Sequence, residues 1–187
     1  MEACGGSITR GMEYLRSSES RAFRQQVLEA LGRLADADSW DLIQLARELT
    51  VAAKAPSDAV RTAQEAELAE NADILGKAAL NQIKERNKRM LSARTLEAFR
   101  QLVGITASYL RDVLAVCAQT PDLVINTDAR LSIEDTARRT DEARVARALG
   151  AVGTCAEYIS YNVSPETCIS AMLLEIREAL DGSNSAR

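Results

Sequence analysis

Apolar residues recur along this chain at intervals of three and four, the spacing that places them on one face of an α-helix. Phe23, Val27, Leu31 and Leu34 form the first stripe. Leu42, Leu45, Ala46 and Leu49 form the second, with Ser39 as its expected N-cap. Leu96, Phe99, Val103, Thr106, Leu110, Val113 and Cys117 form a long one. Val145, Leu149, Val152, Ala156 and Ile159 make another, and Ile169, Met172, Leu173, Ile176 and Leu180 the last. Ser132-Ile133-Glu134-Asp135 has the form of a capping box and predicts the start of a short helix. No alternating apolar run is bounded by turn residues, so no strand is predicted.

The three prolines punctuate these stripes. Pro56, Pro121 and Pro165 each follow one periodic segment and precede another, and proline is tolerated in the first turn of a helix but not inside it. Ser164 reads as an N-cap with Pro165 at the first helical position and Glu166 near the positive end of the dipole. From Ser57 to Leu91 runs a proline-free segment with the stripe Leu68, Ala72, Leu75, Ala79, Ile83 and Met90. As one helix it would extend about 50 Å at 1.5 Å per residue. The reading is an all-α bundle of about six to seven helices. Residues 1–17 stand apart as a short segment after Cys4-Gly5-Gly6-Ser7, linked through Ser17-Ser18-Glu19-Ser20. Residues 18–181 form the main domain, and 182–187 a frayed polar tail.

Composition strengthens the helical reading. Of 187 residues, 31 are Ala and 21 Leu, against 9 Gly, 3 Pro and 7 aromatics. With 47% hydrophobic and 27% charged residues the chain is not disordered. No apolar run is long enough to span a membrane, and no signal-peptide pattern opens the sequence. The four cysteines form no CxxC pair. A chain of this length needs no disulfide framework, which points to a reducing cytosol. Cys117, Cys155 and Cys168 are expected to pack in the core.

Candidate chemistry is sparse. The absence of histidine removes the commonest general base and the commonest zinc ligand. No P-loop, HExxH or GxSxG motif occurs. Helix capping explains Glu134 and Asp135 better than acid catalysis, because adjacent side chains do not converge. Charge is uneven: five acids face one Arg from Asp58 to Asp73, and six basic residues face two acids from Lys84 to Arg100. Lys84, Arg86, Lys88, Arg89 and Arg94 read first as a solvated face, then as a contact for a protein partner or for DNA phosphates. No aromatic residues interleave them to make a stacking platform. Trp40 is expected to anchor packing at a helix start. Tyr109, Tyr158 and Tyr161 are expected to be half-buried with wet hydroxyls. Thr106 and Asn87 are the polar residues inside apolar stripes on which a helical ligand-binding domain would build.

Four segments carry a family resemblance. Gly6-Ser7-Ile8-Thr9-Arg10-Gly11-Met12-Glu13 resembles the end of the lid of AAA+ clamp-loader subunits, where a Gly-Ser pair starts the last lid helix. Tyr109-Leu110-Arg111-Asp112-Val113-Leu114 resembles the aromatic-Leu-Arg-Asp-Leu-Leu pattern of a collar helix, and Asn126-Thr127-Asp128 follows at the family's distance. Asn162-Val163-Ser164-Pro165, leading into Cys168 to Ile176, is similar to the Asn-Val-Asn-Pro element before the family's last helix. The segments stand in the family's order and span nearly the whole chain. Nucleotide-binding members carry an arginine two residues after the lid serine. Here that position is Thr9, and Arg10 is rotated about 100° from it. The resemblance is therefore to the delta-prime branch of bacterial DNA polymerase III clamp loaders rather than to the ATP-binding tau/gamma branch.

The resemblance implies a lid end over 1–17 and a collar over 18–181, a piece of a longer subunit that carries no catalytic residue, cofactor or metal of its own. Its partners would be the tau/gamma and delta subunits through the collar. The sliding clamp and primed DNA would be reached only through the whole replisome complex. Arg111, Asp112, Asn126, Asp128, Asn162 and Pro165 would be structural or interface landmarks. A tau/gamma-type collar, a helical regulatory domain that binds a small ligand, an enzyme using acids alone and direct binding of duplex DNA remain the other readings of the same residues.

Overall fold

Six α-helices and two short 3-10 turns account for almost all of the computed structural model, which describes residues 18–71, 74–161 and 163–181. The helices are α1 (Ser18–Leu34), α2 (Ser39–Glu70), α3 (Lys77–Cys117), α4 (Arg130–Arg138), α5 (Glu142–Ser160) and α6 (Pro165–Asp181). There is no strand among the described residues, so the chain is all-α. None of the described helices is long and apolar enough to cross a membrane. Thr9, Cys4, Asn162 and the 182–187 tail lie outside the described residues.

The C-terminal half of α3 is the centre of the bundle. It packs against α1, α2, α4 and α5, and α6 closes the other side against α2 and α5. Phe99, Leu102, Tyr109, Leu110 and Val113 are almost fully excluded from solvent. They meet Val27, Leu31 and Leu34 of α1, Ile133 of α4, Val145 and Ile159 of α5, and Ile169, Met172 and Ile176 of α6 in one apolar cluster. The stripes predicted for α1, the start of α2, the second half of α3 and α6 are thus the buried faces. In α5 the stripe is corrected at one position, where Cys155 is buried and Ala156 exposed.

Helix boundaries differ from the sequence reading at several points. Pro56 lies inside α2 and does not mark its start. Its ring removes one helical hydrogen bond, to the carbonyl of Ala52, at a cost of about 3 kcal/mol in an exposed helix. Here Ala53, three residues before it, is buried against the bundle and holds the helix through, while Ser57 is buried with its hydroxyl unpaired among the described residues. The 57–91 segment is not one helix. Asn71 ends α2 by donating its backbone N–H and its side-chain amide to the carbonyl of Glu67, and Gly76, in extended geometry, precedes α3. The N-cap of α2 is Asp38 rather than Ser39. Its carboxylate accepts from the N–H groups of Trp40 and Asp41 at 2.7 and 2.8 Å, and Asp41 reciprocates as a capping box. Ser132 does not cap α4, which starts two residues earlier. Its hydroxyl instead donates to the carbonyl of Ala129.

Three aromatic expectations are also corrected. Trp40 is 67% exposed and anchors nothing, because the cap places it on the outer side of the first turn. Tyr109 is fully buried, with its hydroxyl 3.0 Å from Thr136 Oγ1 rather than in water. Tyr161 is exposed, beyond the last packed turn of α5, while Tyr158 is half-exposed. α3 ends where Gln119 takes the left-handed conformation at φ 59°, which lets the Thr120 N–H close back on the carbonyl of Ala115 at 2.8 Å.

No described residue between 58 and 98 is buried. Beyond the root, where Leu96 and Ala98 still pack against the core, α2 and α3 leave the bundle together as an antiparallel hairpin. Its seam is half-buried, formed by Val60, Gln64 and Leu68 on one arm and Ile83, Asn87 and Leu91 on the other.

Candidate assembly site: a buried polar staple and the surfaces around it

Asp112 faces inward from α3 and is 2% exposed, an environment in which a carboxylate needs a full set of donors. It has them. Oδ2 accepts from the backbone N–H and the side-chain amide of Asn126, at 2.7 and 2.8 Å, and both oxygens lie 3.1 Å from the N–H of Ile125. Asn126 is itself buried. Its amide also donates to Ser108 Oγ at 3.0 Å, and its Oδ1 accepts from the guanidinium of Arg24 at 2.6 Å. Arg24 reaches across from α1 and pairs with Asp128 through two hydrogen bonds, one at 3.0 Å. That guanidinium holds the Asp128 carboxyl below the usual carboxylate range. The chain Arg24–Asn126–Asp112, with Asp128 and Ser108 on its flanks, ties α1, α3 and the 118–129 loop into one polar staple.

A second tie fixes α4. Tyr109 shares a hydrogen bond with Thr136, whose hydroxyl also donates to the carbonyl of Ser132 at 2.9 Å. Burial pushes the Tyr109 phenol above its ordinary pKa. On the far side, Lys54 of α2 pairs with Glu166 in the first turn of α6, just after Pro165. The lysine lowers the Glu166 carboxyl to about 2. Thr106, raised above as a possible ligand contact, donates to the carbonyl of Leu102 at 3.0 Å and is satisfied within its own helix. Asn87 sits in the hairpin seam.

Three of the landmark residues named from sequence, Asp112, Asn126 and Asp128, therefore meet in one network. Arg111, their neighbour, points outward and makes no ion pair or hydrogen bond with a described residue. Pro165 opens α6. Lys84, Arg86, Lys88, Arg89 and Arg94 are all exposed on the α3 arm of the hairpin, away from the staple. Arg24, Ser108 and Thr136 were not anticipated. Their partners lie far along the chain, 104 residues in the case of Arg24 and Asp128, and no local pattern marks them.

Two concave surfaces flank the bundle. A groove of about 890 Å³ runs between α1 and α2, lined by Phe23, Ala30, Leu49, Val51, Ala55 and Pro56 with Glu and Arg residues on its rim. A smaller cleft of about 480 Å³ lies at the hairpin root, between Ser57, Arg61, Leu91, Thr95 and Ile159. Neither brings a nucleophile beside a base. Burial raises the thiols of Cys117, Cys155 and Cys168, that of Cys155 to about 12, which makes them poor nucleophiles. Among the described residues no three His, Cys, Asp or Glu side chains converge as metal ligands do. The arrangement holds helices in register and leaves broad outer faces. No protein-family profile, curated protein or solved structure matches the chain.

Proposed function

We propose that this chain is an assembly module, the helical collar of an AAA+ clamp-loader subunit of the delta-prime type. Its task in this reading is to pack against the collars of tau/gamma and delta subunits and fix their order in a ring. The ring then loads the sliding clamp onto primed DNA. The observation that carries the proposal is the polar staple. It joins Asp112 of the Tyr-Leu-Arg-Asp segment directly to Asn126, and through Arg24 to Asp128, of the Asn-Thr-Asp segment, two of the four segments that carry the family resemblance.

The staple gives the resemblance a physical role. A buried, fully satisfied polar network rigidifies the packing it joins. A hub about which motor domains tilt needs that rigidity. Arg111, outward-facing beside the staple, is then the residue placed to meet a neighbouring collar.

The test is to mix the chain with tau/gamma and delta subunits and follow co-elution on gel filtration. Co-elution is expected, with Arg111→Glu weakening it at unchanged helicity and melting temperature. A well-folded chain that elutes alone at micromolar concentrations of every subunit refutes the proposal.

A further inference from the structure

The hairpin is the part of the molecule that the collar reading leaves without a task. Its two arms close their seam only in part, and no other described element covers them along most of their length. Leu68, Ile83 and Leu91 accordingly remain only half-buried, and Met90 is 45% exposed. The charges are sorted by arm. Residues 58–70 of α2 carry four acids and one arginine, and residues 77–94 of α3 carry six cations and one acid. The arginine of the acidic arm is occupied within its own helix, by Asp58 at 3.1 Å and Glu65 at 4.0 Å. Glu67, Glu70, Arg86 and Lys88 are exposed and enter no ion pair among the described residues.

In an antiparallel hairpin, the positions one residue before the seam on either arm fall on the same flank. On α2 these are Ala59 and Ala63, followed by Glu67 and Glu70. On α3 they are Arg86 and Met90, bordered by Arg89 and Ala93. All of them are exposed. This flank thus presents a small apolar patch toward the bundle, with acids on one arm and guanidinium groups on the other.

We infer that the hairpin is a self-association surface whose occupant is the same flank of a second copy of this chain. With the two-fold axis parallel to the hairpin, the acidic α2 arm of each copy lies over the basic α3 arm of the other. By the seam register, Arg86 of one copy then falls about two residues, or roughly 3 Å, from the level of Glu67 of its partner. Every neighbouring pair of helices in the resulting four-helix layer joins acid to base, and the half-buried seam gains a cover. The perpendicular two-fold would stack acid on acid and base on base. A polyanion is a poorer occupant, because a phosphate chain laid along α3 would run beside the α2 acids. The inference rests on the hairpin alone and does not depend on the clamp-loader reading.

The test uses sedimentation velocity on the full chain over a range of concentrations, at low and at high salt. A monomer–dimer equilibrium that weakens with salt is expected. Arg86→Glu with Arg89→Glu, and separately Glu67→Lys with Glu70→Lys, should each weaken the dimer at least about tenfold, with helicity unchanged. An equimolar mixture of the two double variants should dimerise again, because both of its interfaces regain opposite charges. A chain that stays monomeric at all concentrations overturns the inference. So do double variants that dimerise like the parent, or a mixture that fails to recover. A monomer that binds labelled duplex DNA, and loses that binding with Arg86→Glu and Arg89→Glu, overturns it in favour of a nucleic-acid surface.

Discussion

Replacing Asp112 with alanine tests the staple most directly. The substitution removes a carboxylate that accepts from three donors: the N–H groups of Ile125 and Asn126 and the side-chain amide of Asn126. Asp112 and Asn126 are 2% and 1% exposed, so bulk water does not reach the orphaned Asn126 groups from outside, whereas Ile125 is 37% exposed and water can reach its N–H. Each buried donor left unpaired costs about 1–3 kcal/mol. The Asn126 amide keeps Ser108 and so loses least. The buried Asn126 N–H sets most of the total and the part-buried Ile125 N–H adds less, giving a loss of about 2–4 kcal/mol. For a domain of this size a loss of 1 kcal/mol lowers Tm by about 2–4 °C, so the expected fall is about 4–16 °C. Urea unfolding followed by circular dichroism at 222 nm, with the thermal melt beside it, measures both. Asp112→Asn is the control. It keeps the shape and one acceptor oxygen and should lose about half as much or less. A loss below about 1 kcal/mol for Asp112→Ala would refute the reasoning, because the donors would then have found other partners at almost no cost.

Other outcomes follow from single features. Gly104→Ala should stabilise the chain by about 0.5–1 kcal/mol, since the added Cβ meets nothing within 4 Å and helical glycine is entropically costly. Gly32→Ala should gain nothing or lose, because its Cβ would press on Ser132 at 3.0 Å; chemical denaturation of the two variants in parallel decides. Lys54→Ala should cost about 0.2–1 kcal/mol at neutral pH, a modest amount because the pair with Glu166 is more than a third exposed. The Glu166 carboxyl is depressed in the folded state, so this contribution is complete above its ordinary value of 4.5 and fades as pH falls toward about 2. An NMR titration of Glu166 in Lys54→Ala should show its midpoint move back up. Cys155 and Cys168 should resist iodoacetamide at pH 8 in the folded protein and react in urea, as read by mass spectrometry.

The helices that were legible in the sequence are those whose burial is one-sided and deep. Leu42, Leu45 and Leu49, or Ile169, Leu173 and Ile176, repeat at helical spacing because each must reach the same core. The hairpin was harder to read because its arms bury only half a face. Gln64 and Asn87 sit in the seam among leucines, and the periodicity fades where the constraint does. Pro56 misled for a related reason. Proline opposes the interior of an isolated helix, but the packing of Ala53 and its turn against the bundle outweighs that local preference. In the staple, Asp112, Asn126 and Asp128 were visible as members of short motifs. Arg24 was not, since its role is created only when α1 folds against a loop about a hundred residues away.

The hairpin shares its backbone with the bundle but not its core, and this divides the molecule energetically. Amide protons over 99–113 are expected to exchange only when the whole bundle opens. Among the described residues of 58–71 and 74–94 none is buried, and their amides can exchange through a local, lower-energy opening. A melting curve reports on the bundle and is nearly silent about the arm. Substitutions in the arm can therefore change what this chain joins to without changing how stably it is folded.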